Sequence, residues 1–286
     1  IAAAMFLTGQ ASNPMAANFA QSIAKVDVTW AGWLQAGIVP GAIGILVVPW
    51  IISRLLPPKI RRTPEAAEFA RRELEAMGPL DRGQRIVFAV FFSTCSLWLT
   101  ARLHGLGITE VALMGAGSLF VTGVLTWEDA IAEKTAWDVF IWYGGITRLG
   151  ESLNEFGVTQ AFAKQVGAYF EGLTWVPLLA LTLVIYFYAH YAFASITAHI
   201  VSMFPAFLAL LLVRGAPPGL VVYAFACLSN LSAGLTHYGT TPSPMFYAHG
   251  YVSFRDWWRV GFLVSLVNLA IWCSAGFLWW KLIGLW

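Results

Sequence analysis

From Trp175 to Val213 the chain carries no Lys, Arg, Asp or Glu. Crossing a hydrocarbon layer about 30 Å thick takes about 20 apolar residues at about 1.5 Å rise each. This stretch is almost twice that length. Further apolar segments run from Ala31 to Ile52, Ile86 to Leu103, Ile108 to Leu125, Gly219 to Leu235 and Gly261 to Trp280. Val139 to Leu149, which contains Gly144-Gly145, is apolar but too short to span. Apolar residues make up 58% of the 286 and charged residues only 11%, against roughly 25% charged in soluble domains. The pattern defines an all-α polytopic membrane protein in contact with lipid.

Charge then orients the chain. The net charge of +2 does not indicate nucleic acid, because the basic residues gather in one loop instead of along a face with stacking aromatics. Arg54, Lys59, Arg61, Arg62, Arg71, Arg72, Arg82 and Arg85 all fall between Arg54 and Arg85. The positive-inside rule places loop 54–85 in the cytoplasm. Within it, Thr63-Pro64-Glu65 predicts a surface helix to about Met77, with Thr63 as N-cap and proline at the first helical position. Trp279, Trp280, Lys281 and Trp286 are expected to mark a membrane interface after the last span. Cys95, Cys227 and Cys273 lie in apolar runs without a Cys-x-x-Cys pair and read as packing residues. The opening Ile1-Ala2-Ala3-Ala4-Met5-Phe6-Leu7 has neither an initiator methionine nor a basic n-region, so it reads as a chain cut inside a membrane segment.

An internal repeat organises these segments. Gly9-Gln10-Ala11-Ser12-Asn13-Pro14-Met15 and Gly239-Thr240-Thr241-Pro242-Ser243-Pro244-Met245 are both glycine, four residues, then Pro-Met. An aromatic-glycine lead into a span follows each, Trp33 to Gly37 and Trp257 to Gly261. The expected organisation is 1–56 as the end of a first inverted repeat, 57–85 as a connector, and 86–286 as a second repeat. Gly/Pro-interrupted segments at corresponding positions of two halves point to a transporter binding site near the bilayer midplane. The polar residues of the 175–213 stretch, His190, Ser195, Thr197 and His199, cluster near its middle among Ala192, Ala194 and Ala198. Two spans meeting in a surface turn, and a re-entrant hairpin with its tip at membrane depth, both fit this pattern. The central polar residues and small neighbours are the ground for expecting the re-entrant form, since irregular backbone at depth must face protein or a cavity.

A helix broken at depth offers free N–H groups to an anion and free carbonyls to a cation. Ser12, Asn13, Thr240, Thr241 and Ser243 add polar groups at the two breaks, and Ser195 and Thr197 add them at the tip. No Arg or Lys occurs in these segments. An anion would be held by neutral donors and dipoles. The simpler reading of each break is a proline-kinked helix whose hydroxyls bond back to the preceding turn. His190, His199, His237 and His249 are ionisable groups inside apolar segments. No His-Glu-x-x-His pattern or carboxylate cluster accompanies them, so a metal site is not expected. Arg148 and Glu151 are expected to pair along one helix.

Met5 to Gly9 with Asn13-Pro14, His190 to His199, and Leu235 to Thr240 with Pro244 and His249 to Val252 give the chain its family resemblance. It resembles the divalent anion:sodium symporter family, in particular the 2-oxoglutarate/malate translocator and citrate/succinate antiporter branch. The resemblance implies an inverted-repeat transporter with re-entrant hairpins and discontinuous helices. It also implies a homodimer moving di- or tricarboxylate anions by an elevator mechanism, in a bacterial inner membrane or plastid envelope. Carried over residue by residue, it implies substrate contacts at Ser12, Asn13, Pro14, Ser195, Thr197, Thr240, Thr241 and Pro242. It implies a coupling cation, sodium, near Gly9, Ala194, Thr197 and Gly239, and no cofactor. Ile196 stands where the family pattern has asparagine, which leaves symport and antiport both open. Two readings from other classes compete: an intramembrane enzyme using the histidines, and a membrane subunit that does not transport.

Overall fold

Apolar side chains and hydrogen-bond self-sufficiency favour helix wherever lipid or a dry interior surrounds the backbone. A computed structural model of the chain describes residues 1–57, 63–134, 137, 141, 145, 148–149, 152–153, 155–170, 172–240 and 242–286. Among these residues the regular structure is helical throughout, without strands. Five helical segments are long and apolar enough to cross a membrane: Trp30–Leu55, Trp175–Ala192, Ile196–Val213, Pro218–Leu235 and Phe254–Leu282.

Two expected spans are shorter or more polar than the apolar runs suggested. Arg82–Leu99 is helical, but Arg82, Gln84 and Arg85 occupy its first turn and lower its hydropathy below that of the five. Ile108–Val121 is a 14-residue helix, stopped by a turn in which Gly123 adopts φ 71°. The surface helix Pro64–Met77 forms where expected, yet the Thr63 side chain makes no capping bond. The cap that does form is at Asp81, whose carboxylate accepts from the Gln84 amide at 2.7 Å while Gln84 returns a bond to Asp81 N. The Glu151 half of the expected Arg148–Glu151 pair lies outside the described residues, as does Gly144; Arg148 pairs with Glu155, 2.9 Å away.

The chain packs as two units, residues 1–55 with 141–286, and residues 56–140. This division follows packing, not repeats, so the repeat boundaries stand as expectations. In the larger unit, beside the helix Val158–Ala168, the α-helices that frame the two breaks are α1 (Ala2–Met5), α2 (Asn13–Phe19), α3 (Trp30–Leu55), α4 (Trp175–Ala189), α5 (Ile196–Val213), α6 (Pro218–Leu231), α7 (Pro242–Ala248), α8 (Phe254–Ile271) and α9 (Phe277–Leu282). α6 is the core helix, with Leu220 to Leu231 buried throughout. α3 presents its small residues inward, Ala36, Gly37, Gly41 and Gly44. A Cβ on Gly37 would stand 2.8 Å from the Met5 Cα and 2.9 Å from the Ala4 oxygen, so glycine is what lets α1 lie against α3.

Of the tryptophans expected at an interface, Trp280 instead turns inward. Trp280 is fully buried, and its indole donates to the Ala36 carbonyl at 2.9 Å. The Trp279 indole donates to the Gln35 carbonyl at 2.7 Å. The cause lies inside α3: Pro40 has no N–H, so the Ala36 carbonyl four residues back loses its helical partner. Trp280 supplies the missing donor. A five-residue π turn, Trp272–Gly276, precedes α9, and the position a Cβ would take on its Gly276 lies 3.6 Å from Pro40 Cβ. Cys227 is buried as expected of a packing residue, whereas Cys95 is half-buried and Cys273 exposed. Trp280→Phe should lower stability by about 1 kcal/mol. In a Pro40→Ala background the loss should be much smaller, because the new amide refills the carbonyl. Thermal unfolding in detergent measures both, and equal losses would mean that the indole acts only through packing.

Candidate functional site

Both repeat motifs interrupt helices in the same way. The first runs α1, a 3-10 turn Leu7–Gly9, an irregular stretch, then α2. The second runs α6, a 3-10 turn Ser232–Leu235, an irregular stretch, then α7. Prolines open the downstream helices, Pro14 in the first turn of α2 and Pro242 as the first residue of α7.

The broken ends are satisfied by side chains from elsewhere. Asn13 is fully buried, and its amide group donates to the Ala3 carbonyl at 2.8 Å and the Phe6 carbonyl at 3.1 Å. The Ala4 carbonyl accepts from the Trp33 indole at 3.0 Å and from the Cys227 thiol at 3.7 Å. Asn13 Oδ1 accepts from the Asn230 amide at 2.8 Å, and the same amide donates to the Ala226 carbonyl at 3.1 Å. This asparagine pair joins the first break to the last turn of α6, directly before the second. Asn230 lies in a run of apolar residues and was not singled out in the sequence; its signal is a polar amide one turn before the second break.

The hairpin tip meets the second break. α4 gives way to a 3-10 turn, His190–Ala192, then Phe193 and Ala194 lead into α5, capped by Ser195. His190 Nε2 lies 2.9 Å from the Gly239 carbonyl. A carbonyl only accepts, so Nε2 carries the hydrogen. Gly239 is required here: a Cβ would come within 2.7 Å of the Ala233 oxygen and 3.1 Å of His190 Nε2. The Tyr238 hydroxyl donates to the Tyr191 carbonyl at 2.9 Å, and Tyr186 bonds Ser229 at 2.7 Å. Ser229 itself donates to Phe225, so in the Tyr186 pair tyrosine is the donor.

The remaining candidates differ in exposure. Ser12, Ser243 and Thr236 are buried, while Gly9, Ala194, Ser195 and Pro242 are exposed and Pro14, Thr197 and Thr240 half-buried. The Ser195 hydroxyl caps α5 through Ala198 N at 3.5 Å, and Thr240 bonds Ser243 at 2.8 Å. Ile196 is buried while its two neighbours, Ser195 and Thr197, stay accessible. Ser12 Oγ and Thr236 Oγ1 are buried without a hydrogen-bond partner among the described residues. Thr241 lies outside the described residues, and its distance from Asn13 with it. The histidines sit among aromatic rings: His199 is 4.2 Å from the Tyr186 ring and 5.2 Å from the His190 ring, and His237 is 4.6 Å from Tyr247.

Chemically, the tip and both breaks offer hydroxyls, an 18-residue helix beginning at Ser195, and no Lys or Arg between Gly9 and Pro14, His190 and His199, or Thr236 and Met245. Such a set suits a small anion that must also leave. The chain matches the family described as the sodium:sulfate symporter transmembrane region over residues 1–286, and it belongs to that family. It is therefore a multi-pass integral membrane protein of a transporter family rather than an enzyme. It is 40% identical to dicarboxylate transporter 1, chloroplastic, of Arabidopsis thaliana over 288 residues, covering 100% of this chain and 52% of the relative. It is 39% identical to the Spinacia oleracea protein of the same name, covering 100% and 51%, and 32% identical to dicarboxylate transporter 2, chloroplastic, of Spinacia oleracea, covering 99% and 50%. The chain spans about half the length of these relatives.

Adjacent residues of the first break should behave in opposite ways. Asn13→Ala strands two buried carbonyls and the Asn230 amide, which should cost about 3 kcal/mol, as unsatisfied buried groups do. Ser12→Ala removes a hydroxyl that bonds nothing among the described residues and should stay within about 0.5 kcal/mol of the parent. Melting of both variants in detergent checks this, and a large loss in Ser12→Ala would give that hydroxyl a folding role.

Proposed function

We propose that the protein containing this chain is a secondary carrier of dicarboxylate anions, and that the hairpin tip with the two breaks forms its substrate site. The observation that carries the reading is the meeting of these three polar, irregular segments in an apolar bundle. His190 ties the tip to the second break and Asn13–Asn230 ties in the first, while the Ser12 and Thr236 hydroxyls are unengaged among the described residues. The names of the Arabidopsis and Spinacia relatives support dicarboxylates as the substrate class. A buried carboxylate held without a cation depends on each neutral donor, and release stays easy.

Two features bear on coupling. The Gly239 carbonyl, a candidate cation ligand, already accepts from His190. Residue 196 is isoleucine, whose side chain offers no ligand atom to a cation. Exchange of one anion for another is the coupling mode these features favour over sodium symport. Every proposed site residue falls in the unit made of residues 1–55 and 141–286, and none in 56–140. That separation suits an elevator, in which a substrate-carrying block moves against a scaffold.

Counterflow of labelled malate into vesicles holding the full-length protein tests the proposal, with and without sodium outside. Uptake should need internal dicarboxylate and not sodium. Ser12→Ala should raise the apparent malate constant about tenfold, because hydrogen bonds to charged groups contribute about 1.5 to 3 kcal/mol and each 1.4 kcal/mol is tenfold. Unchanged malate affinity in Ser12→Ala at equal expression would remove the first break from the site. Absence of counterflow would remove the transport reading itself.

A further inference from the structure

At the far end of α5 from the tip lies a cavity of about 570 Å³, lined by Ala161, Lys164, Gln165, Gly167, Ala168, Val213 and Arg214. It lies beside the helix Val158–Ala168, which packs against α5. Arg214 directly follows the apolar segment Ile196–Val213, and the chain then turns through Gly215 at φ 76° and Pro217 into α6. An arginine at the end of an apolar span, followed by a glycine-proline turn, sits at the level of lipid headgroups.

Two cations share this cavity. The Arg214 guanidinium donates through Nη2 to the Gly167 carbonyl in the last turn of the Val158–Ala168 helix. That contact uses one of its five N–H donors and fixes the plane of the group. Lys164 is exposed and makes neither a hydrogen bond nor an ion pair among the described residues. Gly167 and Ala168 keep the wall low, with the position of a Gly167 Cβ 3.9 Å from Arg214 Nη2. Val213, which is exposed, supplies an apolar flank. A guanidinium with free donors, a nearby ammonium and an apolar flank at headgroup level match a phosphate that carries acyl chains.

We propose that the Lys164–Arg214 cavity binds the headgroup phosphate of an anionic phospholipid, with an acyl chain along Val213. The site is separate from the hairpin tip, and it stands whether or not the chain transports dicarboxylates. Bound there, the lipid joins the Val158–Ala168 helix to the base of the hairpin arm through its phosphate.

Native mass spectrometry of the purified full-length protein tests it with phosphatidylglycerol and phosphatidylcholine added separately. The parent should retain phosphatidylglycerol in preference to phosphatidylcholine. Lys164→Gln breaks no hydrogen bond or ion pair among the described residues, so it should keep the fold and lower phosphatidylglycerol retention several-fold. Lys164→Gln combined with Arg214→Gln should abolish the preference, while Arg72→Gln, on a surface helix, should leave it intact. Equal retention of the two lipids by the parent, or unchanged preference in Lys164→Gln, would overturn the proposal. So would displacement of phosphatidylglycerol by millimolar inorganic phosphate at no cost in affinity, which would make this a free-anion site.

Discussion

Every interruption of a helix in an apolar interior frees backbone carbonyls and amides that nothing around them can solvate. The larger unit is built around meeting that demand. α1 ends after four residues, and the carbonyls of Ala3, Ala4 and Phe6 are taken by Asn13, Trp33 and Cys227. Pro40 removes a donor inside α3, and Trp280 replaces it. The second break hands the Gly239 carbonyl to His190. Leaving any one of these groups unpaired would cost about 1 to 3 kcal/mol, so the donors that meet them also dictate which segments lie together. Asn13 brings the start of α2 under α1, Trp280 pins α9 to α3, and His190 sets the hairpin tip on the second break.

That assignment decides which polar atoms are left for a ligand. Asn13 looks from sequence like a substrate donor, but both its amide hydrogens are used within the chain. Its sequence neighbour Ser12 is equally buried, and its hydroxyl bonds nothing among the described residues. The adjacent pair Ser12–Asn13 therefore divides its labour: Asn13 closes the broken helix and Ser12 stays available. A site with few free donors and no cation attracts a dianion weakly, which is compatible with turnover and incompatible with tight storage.

The frame was legible in the sequence because it rests on local pattern. Apolar runs marked the five membrane-length helices, the Pro-Met repeats marked both breaks, and small residues between His190 and Ala198 marked the hairpin tip. What was not legible is which distant donor meets which freed carbonyl. Trp280 reaches Ala36 across 244 positions and Asn230 reaches Asn13 across 217. A tryptophan near a span end looks the same in sequence whether it anchors at an interface or donates inward. Only the proline at position 40 hinted at a carbonyl in need. The shortened spans at Arg82–Leu99 and Ile108–Val121 have a similar cause. Apolar length was visible, but the helix end at Leu99, capped by Thr100, and the Thr122–Gly123 stop trim it.

The same bonds constrain how such a site could face two sides of a membrane. Opening the tip away from the second break would sever His190 from Gly239 and Tyr238 from Tyr191. Separating the two breaks would sever Asn13 from Asn230. Each rupture exposes buried polar groups in surroundings with little water to repay them. Moving the tip, both breaks and α6 together severs none of these bonds. A site braced in this way is cheaper to carry than to pry open, and that energetic asymmetry is the physical reason to favour rigid displacement of a block over a hinge running through the site.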